Sequence, residues 1–168
     1  MTTLEFVPVK EPEHIAELAN LAEKIWREYF PAMLTPDKLE YLLDHMLSAE
    51  VLTREIADEG YEFYFADADE AHIGFVGIAP QDGYLFLSKL YLLKDERGKG
   101  YGRQEFEFVK ARARELGLGR IRLTCDRNNE ASLQRYDHMG FLRLGEVDTD
   151  VGGGYQMNDY VLEYTLDD

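Results

Sequence analysis

The segment Leu90–Arg103 constrains the fold of this 168-residue chain more than any other part of it. A strand-like apolar run enters a short loop, and a helix is predicted to begin where the loop ends. The loop has a glycine at every second position: Gly98, Gly100 and Gly102. Backbone N–H groups can therefore converge beside the positive helix N-terminus, as they do around pyrophosphates. Local positive charge comes from Arg97, Lys99 and Arg103. The segment predicts a polyanion site, although glycine spacing alone is more typical of an ordinary turn with solvated charges.

Two common phosphate-binding patterns do not fit this loop. A P-loop requires Ser or Thr after Gly-Lys, because the hydroxyl binds Mg²⁺. Here Lys99 is followed by Gly100 and Tyr101. The dinucleotide fingerprint Gly-x-Gly-x-x-Gly would place its third glycine at Arg103, and it expects a parallel βαβ unit. The loop matches neither class.

The chain before the loop changes from helical to strand periodicity. The pattern predicts a short strand at Leu4–Val9, a helix from Pro12 that ends at Pro31, and a second helix from Thr35-Pro36 that continues through Val51–Ala57 to Gly60. It then predicts three strands at Tyr61–Ala66, Ile73–Ala79 and Tyr84–Leu92. The turn-like sequences between these strands indicate an antiparallel meander.

The chain after the loop alternates between helices and strands. The pattern predicts a helix that ends at Gly117, a short strand over Ile121–Cys125, a helix at Glu130–Met139, and two strands at Phe141–Val147 and Tyr155–Leu166. The resulting order is β-α-α-β-β-β-α-β-α-β-β. It predicts an α/β fold with a mixed, mostly antiparallel central sheet flanked by helices on both faces.

Two motifs in this order resemble the GNAT superfamily of acyl-CoA-dependent N-acyltransferases. The superfamily's phosphate loop reads Arg/Gln-x-x-Gly-x-Gly/Ala after the fourth strand, and Arg97–Gly102 matches every fixed position. Downstream, Asn128–Phe141 matches Asn-x-x-Ala followed by Tyr-x-x-x-Gly-Phe. The order of predicted elements is also that of the superfamily. The resemblance therefore implies one N-acetyltransferase domain over residues 1–168, with acetyl-CoA as co-substrate and no metal.

The resemblance also implies roles for individual residues. The backbone groups of three consecutive residues would pair with the pantetheine arm as if it were another strand: Leu90, Tyr91 and Leu92. The amides of the loop would hold the CoA pyrophosphate: Arg97, Gly98, Lys99, Gly100, Tyr101 and Gly102. Asn128 would hydrogen-bond near the pantetheine or acyl end, and it can also cap the helix that follows. Tyr136 would be the general acid.

A tyrosine suits that acid role chemically. Attack of an amine on a thioester builds an oxyanion and expels a thiolate whose conjugate acid has a pKa of about 8–9, by analogy with cysteine. A phenol with a pKa of about 10 stays protonated at neutral pH and can donate to the sulfur. A backbone N–H near Tyr91 could donate a hydrogen bond to the oxyanion. Tyr136 can also simply pack against the sheet, but its motif position favours catalysis.

The general base is left open by the sequence. An alkylamine with a pKa of about 10.4 is almost entirely protonated at pH 7, so it must lose a proton before it attacks. Many members of the superfamily carry a glutamate on the fourth strand, whereas Tyr84–Tyr91 contains no carboxylate. Glu28 or a chain of waters could serve instead. A catalytically silent acyl-CoA-binding domain is the alternative to an enzyme.

The acceptor is expected between the first helices and the final hairpin, by analogy with the superfamily. Trp26–Phe30 and Asp148–Tyr160 combine aromatic and acidic side chains, which suit an amine. Core packing explains Trp26 and Tyr29 equally well. The segment Asp148–Gly153 superficially resembles a calcium loop, but its sequence favours a flexible hairpin loop. By analogy, the Tyr155–Leu166 strand could pair between subunits of a homodimer.

Charge excludes some partners. The chain has 18 Lys and Arg against 33 Asp and Glu, a net charge of −15, which repels nucleic acid and anionic membrane surfaces. It favours a cationic acceptor, either a small amine or a basic peptide amine. The four histidines have no metal-ligand spacing, and the single cysteine, Cys125, is expected to be a buried apolar residue. With neither a signal-peptide pattern nor an apolar run of about 20 residues, we expect a cytoplasmic protein.

Overall fold

The computed structural model describes residues 2–30 and 34–167. Seven strands form one sheet: β1 (Glu5–Pro8), β2 (Glu62–Ala68), β3 (Ala71–Pro80), β4 (Leu85–Leu92), β5 (Arg120–Asp126), β6 (Leu142–Gly152) and β7 (Tyr155–Thr165). Five α-helices within these described ranges accompany it: α1 (Pro12–Tyr29), α2 (Pro36–Met46), α3 (Ala49–Asp58), α4 (Tyr101–Glu115) and α5 (Glu130–Met139). A short 3₁₀ turn, Lys94–Glu96, precedes α4.

The strands lie in the order β1-β2-β3-β4-β5-β7-β6. β4 and β5 run parallel, and the other neighbouring pairs are antiparallel. The parallel pair is joined at only two positions, Leu85 with Ile121 and Phe86 with Arg122. Beyond these positions the two strands separate, which opens a gap in the middle of the sheet.

Two apolar layers cover the sheet and confirm the predicted fold class. On one face, α1, α2 and α3 pack on side chains that include Phe63, Phe65 and Phe75. On the other face, α4 and α5 pack on side chains that include Val76 and Leu162. The alternation of side chains along each strand, with a period of two, sends neighbouring residues to opposite layers. The meander β2-β3-β4 is also as predicted.

The predicted continuation of the second helix through residue 57 is wrong in one respect. The chain turns at Leu47, and α3 begins as a separate helix because the Ser48 hydroxyl accepts the Val51 N–H (3.3 Å). Gly60 ends this stretch, with φ +74°, as expected. Pro31, expected to end the first helix, lies outside the described residues.

The final hairpin is more ordered than the sequence predicts. The segment expected to be a flexible loop belongs to β6 as far as Gly152, and β7 resumes at Tyr155. The turn is held against α2, where the Tyr41 hydroxyl donates to the Val151 carbonyl (2.7 Å). A Cβ at Gly153 would lie 2.5 Å from the Tyr41 ring, so the close approach requires glycine there.

No helix of the described residues is both long enough and apolar enough to cross a membrane.

Candidate active site

The gap between β4 and β5 opens into a cavity of about 410 Å³. Its walls come from both helical layers, with Trp26 and Tyr29 on α1 and Ser132 and Tyr136 on α5. The cavity therefore passes through the sheet where the parallel strands separate. A long ligand can lie along the free edge of β4 and reach both faces.

Leu90 and Tyr91 of β4 line the cavity, whereas the Leu92 side chain does not. Leu92 is buried in a third apolar cluster with Tyr101 at the base of the loop. Leu90, Tyr91 and Leu92 form antiparallel pairs with β3 on one side. On their other side the described chain offers no strand partner. The edge of β4 that an extra strand would need is open at these three residues.

The loop before α4 presents unpaired backbone donors. Gly98 and Gly100 have φ +78° and +85°, which other residues rarely adopt, so glycine is required at both positions. The N–H groups of residues 98–103 find no acceptor within the described part of the chain. Gly100 is the N-cap of α4 and offers no side-chain cap. Several N–H groups therefore meet at the positive end of α4, as expected for an anion site.

Arg97 connects this loop to α1. Its guanidinium carbon lies 3.4 Å from the centre of the Tyr29 ring. Its Nε and Nη2 atoms are buried and have no hydrogen-bond partner among the described residues. Buried guanidinium donors are normally paired, so these two Arg97 atoms can donate to an acceptor that the described residues do not supply.

Glu28, one of the two possible bases considered from the sequence, lies outside the cavity in this arrangement. Its carboxylate accepts the Lys94 N–H (3.0 Å) at the start of the 3₁₀ turn. It is absent from the cavity lining. Glu28 fixes the loop entry to the end of α1 and does not face the gap.

Tyr136 reaches the gap from α5. Its ring packs edge-on against Phe141 at 5.4 Å between centroids, and its hydroxyl makes no hydrogen bond within the described chain. Burial raises the pKa of Tyr136 above its ordinary value. The phenol therefore stays protonated through the neutral range, and both packing and proton donation are open to it.

Asn128 does not cap α5, which corrects that part of the prediction. Asn129 is the N-cap, and its side-chain oxygen accepts the Ser132 N–H (3.2 Å). The backbone N–H of Asn128 donates to Asp126 (2.7 Å), and its side chain is exposed outside the cavity lining. Asn129, one residue later in the turn after β5, therefore has the capping role that was predicted for Asn128.

Cys125 is buried next to the gap, as expected. Burial raises its pKa to about 12, and the nearby charge of Asp159 adds to this effect. The thiol therefore stays neutral at physiological pH. It is a poor nucleophile for carrying an acyl group.

Charged side chains of both signs line the cavity. The acids are Glu55, Asp126 and Asp159, and the bases are Lys38, Lys89 and Arg135. Lys89 occupies β4, where the superfamily often has a carboxylate. Its ammonium bonds to the Ser88 hydroxyl (2.9 Å), and burial lowers its pKa. Lys89 thus lies on β4, and the acids Asp126 and Asp159 lie on β5 and β7.

Asp159 on β7 is the acid that sequence reasoning did not single out. It is only 5% exposed and lines the cavity opposite Asp126, its register partner on β5. Burial first, and the neighbouring Asp126 second, raise its pKa to about 6. The pairing joins positions 33 residues apart in the sequence, and only the β5–β7 register reveals it.

No group of three or more His, Cys, Asp or Glu side chains suited to hold a metal occurs in residues 2–30 and 34–167. The calcium-like segment Asp148–Gly153 is strand until its last residue. Asp148 is engaged there by Arg127 (2.7 Å).

Comparison with known proteins agrees with this geometry. The family model described as Acetyltransferase (GNAT) family matches residues 18–141. An uncharacterised N-acetyltransferase in the pepI 3′ region of Lactobacillus delbrueckii subsp. lactis is 25% identical over 99% of both chains.

Two solved structures share the fold at low sequence identity. The PaiA N-acetyltransferase from Thermoplasma acidophilum, in complex with coenzyme A, has a TM-score of 0.78 at 22% identity and covers 96% of this chain and 98% of its own. A GNAT family acetyltransferase from Elizabethkingia anophelis with acetyl-CoA bound has a TM-score of 0.63 at 15% identity and covers 99% of this chain and 100% of its own.

Proposed function

The chain belongs to the GNAT acetyltransferase family, and on that premise we propose that it transfers the acetyl group of acetyl-CoA to a primary amine by direct attack. The acceptor is a small cationic amine or a basic peptide amine, which reaches the cavity as an ammonium ion. The acids beside β5 and β7 and the aromatic rings of α1 suit such an ion.

The loop and β4 would bind acetyl-CoA. The free N–H groups of residues 98–103 and the unpartnered Arg97 donors suit the pyrophosphate. The open edge of β4 at Leu90–Leu92 suits the pantetheine arm, which would pair with it as an added strand. Asn128, which is exposed beside the cavity, would hydrogen-bond near the pantetheine or acyl end. The thioester would then lie in the gap beside Tyr136.

The transfer itself needs an acid, an oxyanion donor and a base. Tyr136 would protonate the departing CoA sulfur, because its phenol is protonated at neutral pH and its hydroxyl makes no hydrogen bond within the described chain. A backbone N–H near Tyr91 would stabilise the oxyanion. The neutral Cys125 thiol favours direct attack over an acyl-cysteine intermediate.

One observation carries the proposal. The unpaired amides of residues 98–103 lie at one end of β4, and the gap that holds Tyr136 opens along the same strand. A ligand anchored by its diphosphate at the loop would be directed into this gap. An ordinary glycine-rich turn would not need to coincide with a gap in the sheet.

Turnover with a panel of amines tests the proposal. The panel contains ethylamine, 2,2,2-trifluoroethylamine, a polyamine, an amino sugar and a lysine peptide. We expect release of free CoA thiol, measured with a thiol reagent, together with an N-acetylated product detected by mass spectrometry. Activity confined to 2,2,2-trifluoroethylamine, the amine of the panel that is largely neutral at pH 7, would contradict the cationic acceptor.

A catalytically silent acyl-CoA-binding domain is the second candidate. The observation in its favour is Lys89, which places an amine on the strand where the superfamily often has a carboxylate. Both candidates predict binding of acetyl-CoA. Binding without turnover of any panel amine would favour the silent domain.

A further inference from the structure

We propose that Asp159 is the general base of the transfer and takes the proton from the incoming ammonium ion. This inference rests on the proposed function and identifies a group that the strand β4 does not provide. Asp159 lies on β7, across the gap from β4.

The carboxylate of Asp159 lines the cavity, and no hydrogen bond or ion pair within the described residues engages it. Asp159 is 5% exposed. By contrast, the exposed Asp148 on the adjacent strand is paired with Arg127 (2.7 Å). A buried carboxylate normally has donors around it, so an unpaired one that faces a cavity indicates that a ligand supplies the donor.

The other acids of the cavity are less suited to this task. One oxygen of Asp126 accepts the Asn128 N–H (2.7 Å) and holds the turn that leads into α5. Glu55 comes from α3 and already interacts electrostatically with Lys89 at its end of the cavity. Asp159 is therefore the carboxylate to which an ammonium ion is directed.

Charged and titratable groups from each neighbouring element act on Asp159. Asp126 on β5 and Asp148 on β6 raise its pKa, whereas Lys38 on α2 and Arg127 after β5 lower it. Cys125, on β5, is neutral at physiological pH. Burial has the largest of these effects and raises the pKa of Asp159 to about 6. Asp159 is therefore a stronger base than an exposed aspartate and is still mostly ionised at pH 7.

The proposed step balances as follows. The ammonium ion gives one proton to Asp159, which releases it to water. The free amine attacks the thioester carbonyl, a C–N bond forms, and the C–S bond breaks. The departing sulfur takes the Tyr136 proton, and the second proton lost by the nitrogen restores the phenol. The products are an N-substituted acetamide, CoA thiol and one proton in solution.

The test compares two amines of similar size and different basicity. Ethylamine is an ammonium ion at pH 7 and needs a base, whereas 2,2,2-trifluoroethylamine is largely neutral and does not. We expect D159N to lower kcat/KM for ethylamine by ~10²-fold or more, and for the fluorinated amine by less than ~10-fold. D82N, which removes an exposed carboxylate from the β3–β4 turn outside the cavity lining, should change neither.

The wild-type pH profile is the second measurement, and it does not depend on how the variant folds. We expect kcat/KM for ethylamine to rise through about pH 6 and then level off far below the pKa of the amine. In D159N, kcat/KM should keep rising toward the pKa of the amine.

Equal losses for both amines, no loss, or a wild-type profile that follows the amine's own titration would each overturn the assignment. Absence of wild-type turnover with the whole panel would instead refute the proposed function. An unchanged Kd for acetyl-CoA shows that D159N keeps its fold.

Discussion

Replacement of Tyr136 by phenylalanine removes one hydroxyl from the gap and should leave the rest of the protein intact. The hydroxyl has no hydrogen bond within the described residues, and the ring keeps its contact with Phe141. We therefore expect the free energy of unfolding to change by less than ~0.5 kcal/mol. The affinity for acetyl-CoA should also be retained, because the pyrophosphate would bind at the loop and not at α5.

The turnover number should fall much further. General acid catalysis contributes about 10²–10⁴-fold, which corresponds to ~3–5 kcal/mol of activation free energy at 1.36 kcal/mol per factor of ten. Steady-state release of CoA thiol gives kcat, and isothermal titration calorimetry gives the Kd for acetyl-CoA. The matched control is Tyr164→Phe, which removes a hydroxyl from the same aromatic cluster outside the cavity.

The reasoning is refuted if Y136F retains a kcat within about threefold of the wild type at an unchanged Kd. Tyr136 would then be a packing residue, and the proton would reach the sulfur from water. A parallel loss in Y164F would also refute it, because the effect would then come from altered packing of the cluster.

Three further perturbations test other parts of the structure. Gly77→Ala should destabilise the fold by ~1–3 kcal/mol in urea denaturation, because its Cβ would lie 2.6 Å from the buried Phe63 ring; Gly119→Ala, with open space around it, is the control and should change little. Glu105→Gln should raise Tm at pH 8 but not at pH 4. Burial raises the pKa of Glu105 in the folded state, so the contribution of this side chain to the free energy of unfolding is present below its unfolded pKa and is lost as pH rises. The wild type is therefore penalised at pH 8 and not at pH 4, and equal Tm shifts at both pH values would contradict this. Gly102→Val should weaken acetyl-CoA binding at least ~10-fold in calorimetry, because it adds a side chain among the amides that would hold the pyrophosphate. The protein should stay folded, because a Cβ there would meet only Leu92, at 4.0 Å. The control, Ala111→Val on the exposed side of α4, should bind acetyl-CoA normally.

The fold and the geometry of the glycine loop were predictable because their signals are local. The glycines at 98 and 100 need positive φ, and the helix begins immediately after them. The meander follows from period-two runs that end in turns. Each of these features depends on residues within about ten positions of one another, so periodicity and turn chemistry are sufficient.

The features that the sequence did not reveal depend on distant or very precise placement. The Asp126–Asp159 pair exists only through the β5–β7 register, and burial rather than residue type makes Asp159 basic. Glu105 is 1% exposed although glutamate is usually a surface residue. The exchange of Asn128 for Asn129 as the helix cap is a shift of one residue, which sequence patterns do not resolve.

A crystal structure with acetyl-CoA bound tests the central claim most directly. We expect the diphosphate to lie against the amides of residues 98–103 and the pantetheine arm to follow β4. The thioester sulfur should lie within about 3.5 Å of the Tyr136 hydroxyl oxygen, which is hydrogen-bonding reach. A cofactor bound elsewhere, or a thioester directed away from the β4–β5 gap, would contradict the account.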